Sequence, residues 1–355
     1  MGGKIVEMTT GRKYLLVTFT ILLIVAITLT TSFEDDSPIN ETANQVNLTV
    51  TGASPGGLWS SLGVGLDKVA NAENQGATIT YQTSSGGLAN AKLVSDQRVP
   101  LGIISDIELK SAWKGTGVFK DNPQKDLRVL FRLYSADSRF QAIHLIMNRD
   151  FADKNNITSF ADIIWKKPAI RAAVNRPGNM DGDLGIVIFE SLGASIVDIE
   201  AWGGQVIRAA TREQTNLMTD RRLDLINFGV SYNHSSIREL SNAVPLLMLD
   251  ITETVAKKVV SIIGGKPCVF KTSEYEFLQQ DAMTICTGTV LIASKEMNDE
   301  TAYSLTMAMV KNLDAFKSAH QQLAIATTLT TVAEASIAPR HPGAERALRE
   351  AGLIQ

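Results

Sequence analysis

From Gln45 onward the chain switches between a two-residue and a three-to-four-residue hydrophobic period, which marks strands and helices in turn. NLTVTG reads as a strand ending in glycine. LWSSLGVGLDKVANA places Leu58, Leu62, Leu66 and Val69 at helical spacing. ATITYQT sets Ile79 and Tyr81 on one strand face. GGLANAKLVSD is a helix opened by glycines, VPLGIIS a short apolar strand and IELKSAW a further helix. This β-α-β-α-β-α order predicts an α/β lobe with a largely parallel sheet.

The rhythm then recurs. AIHLIMN, AIRAAVN, DLINFGV and AVPLLMLD read as strands. Helices are expected at SFADIIW, with Ser159 as N-cap and Asp162 three residues on, at DGDLGIVIFESLG up to Gly193, and at SSIRELSNA from Ser235 and Ser236. TVLIAS is a strand bringing the chain back, and the tail from Asn298 is nearly all helical, with Asp299 as the expected N-cap. A second α/β lobe inserted into the first accounts for the order. Residues 45–140 and 250–355 then form lobe 1, and 141–249 form lobe 2.

The N-terminal end follows another pattern. Tyr14 to Phe33 carry no charge; Lys4, Arg12 and Lys13 precede them, and Glu34, Asp35 and Asp36 follow. A basic flank before an apolar run retains the first end inside and exports the rest. Residues 1–33 therefore read as a signal peptide or a signal anchor, and 34–44 as a polar tether. About 20 apolar residues suffice to span a bilayer, so the length favours an uncleaved anchor. The expected location is extracytoplasmic, with attachment to the cytoplasmic membrane through that helix.

Composition narrows the partners. The 355 residues are 45% hydrophobic and 20% charged, with a net charge of −3. No basic stripe suggests nucleic acid. Cys268 and Cys286 are the two cysteines. In an oxidising compartment they could form one disulfide, or each could be a small core residue, and the residues leave both open. No CxxC or His-x-x-x-His spacing points to zinc, and no cofactor is implied. The four histidines, His144, His234, His320 and His341, have no evident nucleophile or carboxylate partner, so an enzyme is not expected.

Candidate chemistry lies at strand-to-helix junctions rich in glycine and small polar residues. In lobe 1 these hold Ser54, Gly56 and Gly57, then Thr83, Ser84, Ser85, Gly86 and Gly87, then Asp106. In lobe 2 they hold Asn175, Arg176 and Asn179, then Asn227 and His234. Ligands of open α/β sheets bind outside the carboxyl ends of the strands, where helix N-termini present N–H groups that attract anions. Several such N-termini aimed at one cleft would hold a carboxylate. Arg176 is the leading single cation for that role, ahead of Lys110, Lys114, Arg132 and Arg139. Trp59 could stack on a ligand or pack between helix and sheet. Asp181 and Asp183 are explained by the dipole at their helix start.

TGASPGGLWSSLGVGLDKVA, YQTSSGGLANAKLVSDQRVPLGIISD, LRVLFRLYSADSRFQAIHLIMNRD, ITSFADIIWKKPAIRAAVNRPGN, AYSLTMAMVKNLDAFKSAH and HPGAERALREAGL together resemble one family, across about residues 45 to 355. It is the TAXI branch of solute-binding subunits of tripartite ATP-independent periplasmic (TRAP) transporters. The resemblance implies a two-lobe, type II periplasmic-binding-protein fold with a ligand cleft between the lobes. It also implies capture of a small organic anion, an amino acid or a dicarboxylate such as glutamate or 2-oxoglutarate, by hinge closure, and delivery to TRAP membrane permease subunits. A ligand-sensing module signalling to a membrane receptor is the alternative. Trp59 stands where the family commonly has tyrosine, and Asn-Arg-Pro-Gly-Asn where a Pro-Pro-Gly-Ser-Gly type is common. The ligand is therefore not carried over from the family.

Overall fold

The computed structural model describes residues 47–355. The segments read as signal peptide or anchor and as tether lie outside the described residues. Among the described residues, no helix is long and apolar enough to cross a membrane.

Two sheets organise the described chain. The first runs in the order β2 (Thr78–Gln82), β1 (Asn47–Thr51), β3 (Leu101–Ser105), β12 (Thr289–Ser294), β4 (Leu127–Tyr134). The second runs β10 (Lys266–Phe270), β11 (Ala282–Thr287), β5 (Gln141–Asn148), β8 (Leu225–Val230), β6 (Arg171–Val174), β7 (Gln205–Arg208), with β9 (Leu246–Met248) also on β5. We call each sheet with its helices a lobe.

The sheets are mixed, where a largely parallel sheet was expected. β1 is parallel to β2 and β3, but β12 is antiparallel to both its neighbours. A strand delivered directly from the other lobe needs no crossover helix, so it can enter in the opposite sense. The expected return to lobe 1 at residue 250 also comes too early. β10 and β11 pair within the second sheet, so that lobe continues to Thr287 and the chain crosses back at Gly288. β10 is an exposed edge strand containing Pro267, and its apolar alternation is correspondingly weak. The helix Asp299–Lys311 is capped by Asn298, whose Oδ1 accepts the N–H groups of Glu300 and Thr301, and not by Asp299.

Both faces of each sheet are covered. Along β3, Leu101 and Ile103 join one apolar cluster and Ile104 the cluster on the opposite face. Along β5, Ile143, Leu145 and Met147 face one cluster while Ala142 and Ile146 face another. Burial on two sides is why these strands read as unbroken apolar runs.

Two passages connect the lobes. One goes from β4 through the turn Ala136–Ser138 into β5, and the other from β11 through Gly288 into β12. Space at Gly288 is tight: a Cβ there would stand 2.4 Å from Asp106 Oδ2 and 2.5 Å from Arg132 Nη1. β10 and β11 are further joined by a disulfide between Cys268 and Cys286.

Candidate functional site

The carboxyl-end junctions of both sheets meet in one cleft. Ala53, Ser54 and Gly57 follow β1, and Glu108 follows β3; Asn175, Asn179 and Asp181 follow β6, and Gly229 and Val230 end β8. With Trp59, Gln141 and Thr211 they line an inner cavity of about 30 Å³, room for about one water or a group of that size. Its lining carries two carboxyl groups, Glu108 and Asp181, and no cation. A wider outer cavity of about 480 Å³ shares Ser54, Gly57 and Thr211 with the inner one and is lined by Arg176, Arg212 and Arg222 together with Glu213 and Asp220.

Glu108 is 2% exposed. Its Oε2 accepts the Ser105 N–H at 3.1 Å and the Ser105 hydroxyl at 2.7 Å, closing a capping box on the helix Asp106–Lys114. Its Oε1 accepts the Gly87 N–H from its own lobe and the Met180 N–H from the other, each at 3.0 Å. Burial pushes the carboxyl up to about 7; the Ser105 and Met180 donors pull it down, and the Asp181 charge adds to the rise.

Asp181 belongs to the helix Met180–Ser191 and is also buried. Its Oδ2 accepts the Gly229 N–H at 2.8 Å and the Asn175 side-chain amide at 3.4 Å. Burial pushes this carboxyl up to about 6 against those two donors.

The cleft continues into a hydrogen-bonded network at the passages. Trp59 Nε1 donates to the Tyr134 hydroxyl at 3.2 Å, as does the Thr289 hydroxyl at 2.8 Å. Tyr134 donates to Gln141 Oε1 at 2.7 Å, and Gln141 Nε2 donates to the Gly229 carbonyl at 3.1 Å. The chain thus links first lobe, passage and second lobe.

The residues expected at the ligand divide into groups. Ser54, Gly57, Trp59, Asn175 and Asn179 line the inner cavity; Gly56 and Arg176 line the outer one, with Ser54 and Gly57 in both. Gly86 and Gly87 lie at the contact between lobes. Ser84 ties its loop to the junction after β1, its hydroxyl donating to the Gly52 carbonyl, while the Cβ of Ser85 lies 3.4 Å from where a Gly178 Cβ would stand. Thr83 is exposed and lines neither cavity. Asp106 is spent on Arg132, with Oδ2 2.6 Å from Nη1, and so steadies the Gly288 passage. Asn227 sits behind the cavity wall, donating to the Asp181 carbonyl, and His234 caps the helix Ser235–Ala243. Burial pushes the His234 imidazole down to about 4. Arg176 is more than half exposed and faces Glu213 at 3.3 Å.

Residues 50–352 match the NMT1-like family. The chain belongs to that family. Its fold is that of periplasmic binding proteins, mixed α/β with two sheets. The periplasmic binding protein BugD is 14% identical, with a TM-score of 0.53 over 87% of this chain and 93% of that one. PhnD1 from Prochlorococcus marinus, solved with methylphosphonate, is 11% identical, with a TM-score of 0.54 over 88% of this chain and 100% of that one. MatC from Rhodopseudomonas palustris, solved with malate, is 13% identical, with a TM-score of 0.50 over 78% of this chain and 88% of that one.

No local pattern in the sequence brings Glu108 and Asp181 to the cleft. Ser105-Asp-Ile-Glu108 is a capping-box pattern that marks Glu108 as useful to its own helix. Nothing local shows that its second oxygen reaches another lobe. Asp181 reads locally as an N-terminal acid, whereas its partner in the fold is the Gly229 N–H, 48 positions later.

Proposed function

We propose that this protein is an extracytoplasmic solute-binding subunit of a TRAP-type secondary transporter. It captures a small amino acid between its lobes and hands it to the membrane permease. The TRAP assignment rests on the sequence resemblance to the TAXI branch, and the location on the charge asymmetry around Tyr14–Phe33. A binding-protein fold in an NMT1-like chain supports the capture role.

The distribution of charge in the cleft carries the choice of ligand. Glu108 and Asp181 stand on the inner wall without a cation, while three arginines border the outer cavity. A dicarboxylate pushed inward would bring a third buried carboxylate against two others, and such charge is costly without a counter-ion. An amino acid instead turns its ammonium group inward to Asp181 and its carboxylate outward to Arg176 and its neighbours. A solute that bridges both lobes adds its contacts to the closed form and favours it over the open one.

A thermal-shift screen of the full-length chain over amino acids, dicarboxylates and 2-oxo acids tests this reading. One or more amino acids should raise the melting temperature, with their 2-oxo analogues far weaker. Stabilisation by dicarboxylates or oxo acids alone would reverse the choice of ligand. No response to any solute in the panel would count against capture itself.

A further inference from the structure

We propose that Glu108 is a latch between the lobes: one of its carboxyl oxygens holds the first N–H groups of two helices that belong to opposite sides of the cleft. The latch gains its purpose from the solute-capture reading above, but its geometry and its test require no solute.

A purely local role is already complete without the bridge. Oε2 serves the capping box through the N–H and hydroxyl of Ser105. Oε1 is surplus to that box, and it takes Gly87 N–H and Met180 N–H together. Gly87 opens the helix Gly87–Ser95 and Met180 opens the helix Met180–Ser191. The leading N–H groups of a helix lack intrahelical partners and sit at the positive end of its dipole. Neither helix supplies a cap for this donor itself. Gly86 has no side chain, and Asn179 Oδ1 accepts from Asp181 and not from Met180.

Two converging helix starts would ordinarily attract an anion from solution. Here the chain provides the anion. A solute carboxylate therefore has no free donors at this point while the latch is engaged, which agrees with a ligand that turns its cationic end inward. Opening the cleft must break the contact with Met180 and leave a buried helix N–H and a carboxyl oxygen to find water.

The test measures closure directly. Spin labels at Lys120→Cys in the first lobe and Glu200→Cys in the second, both exposed positions, report the interlobe distance in the full-length chain at pH 8 without added solute. The doubly labelled parent should give one short distance. Glu108→Ala should lengthen and broaden it, and sodium acetate should restore the short distance by seating a carboxylate on the vacated N–H groups, with no effect on the parent. Met180→Pro deletes the bridging donor at a first helical position, where proline is tolerated and where Asn179 already has extended backbone. It should open the cleft, while Met180→Ala, which removes only the side chain, should leave it closed. Ser105→Ala breaks the box without the bridge and should also stay closed. A folded Glu108→Ala or Met180→Pro protein with the parental distance overturns the latch. So does equal opening by Ser105→Ala and Glu108→Ala, or a failure of acetate to act on Glu108→Ala. If Glu108→Ala does not fold, Met180→Pro against Met180→Ala decides alone.

Discussion

A Cβ placed on Gly86 would stand 2.7 Å from the carbonyl oxygen of Gly178, which belongs to the opposite lobe. The two loops touch through backbone, and the φ of +131° at Gly86 lies where other residues are strained. Gly86→Ala should therefore act twice. It should lower stability by about 1–3 kcal/mol through backbone strain, and it should weaken solute binding by keeping the lobes apart. Chemical denaturation and titration calorimetry read the two effects separately. A folded Gly86→Ala protein with parental affinity would leave this loop as a turn and nothing more.

The disulfide closes a short loop at the edge of the second sheet. Cys268 and Cys286 are 18 positions apart, and a loop of that size corresponds to about 3 kcal/mol in the chain-entropy model. Cys268→Ser together with Cys286→Ser should lower the melting temperature by several degrees. Solute affinity should change little, since neither cysteine lines the inner or the outer cavity. Parental melting under reducing and oxidising conditions gives the same comparison without a substitution. Equal melting temperatures in both would show that the bond adds nothing to stability.

Acid should act on the second lobe through His144. Its Nδ1 faces the Ala142 carbonyl at 2.9 Å, so that nitrogen carries the proton, and Nε2 accepts from the Tyr275 hydroxyl at 2.7 Å. Burial pushes this imidazole down to about 3 from an ordinary 6.5. The unfolded chain then binds a proton that the folded chain refuses. The contribution is fully present above pH 6.5 and is lost as pH falls toward 3, at a slope of up to about 1.4 kcal/mol per pH unit. Stability of the parent relative to His144→Gln should fall by about 2 kcal/mol between pH 7.5 and pH 5. A difference that stays flat across that range would place the proton in the folded state.

Strands buried on both faces were legible because burial writes an unbroken apolar run; β3 and β5 are examples. The hairpin of β10 and β11 was not, because an edge strand with Lys266 and Pro267 outward has no such signature. The site divided in a similar way. Glycine at a helix start is visible locally, and Gly57, Gly86 and Gly87 all lie at the cleft or at the lobe contact. What Glu108 and Asp106 do depends on which distant groups the fold brings to them: Met180 for one, and Arg132 beside the Gly288 passage for the other. A side chain's partner across 72 positions is set by tertiary packing, and no periodicity in the sequence encodes it.

The polarity of the bound solute can be decided at Asp181. Its Oδ2 is held by the Gly229 N–H, a bond that an asparagine oxygen at the same position can also accept. Asp181→Asn therefore removes charge while keeping shape and the contact with β8. At pH 7.5, above the value of about 6 to which burial raises this carboxyl, the parent presents a carboxylate to an incoming ammonium group. A hydrogen bond to a charged group contributes about 1.5–3 kcal/mol, so the variant should bind an amino acid roughly ten- to a hundredfold more weakly. The matching 2-oxo acid lacks the ammonium group, and its weak binding should not weaken further in the variant. Arg176 should give a smaller change. It is 57% exposed and already faces Glu213 at 3.3 Å, so Arg176→Ala should cost at most about tenfold at moderate salt, with lysine rescuing only in part. Calorimetry on these variants with both ligands forms a cycle that isolates the ammonium–Asp181 contact. Equal affinity of the parent and Asp181→Asn for the amino acid would move recognition of its polar end onto Asn175 and Asn179 and would remove the charge argument for an amino acid.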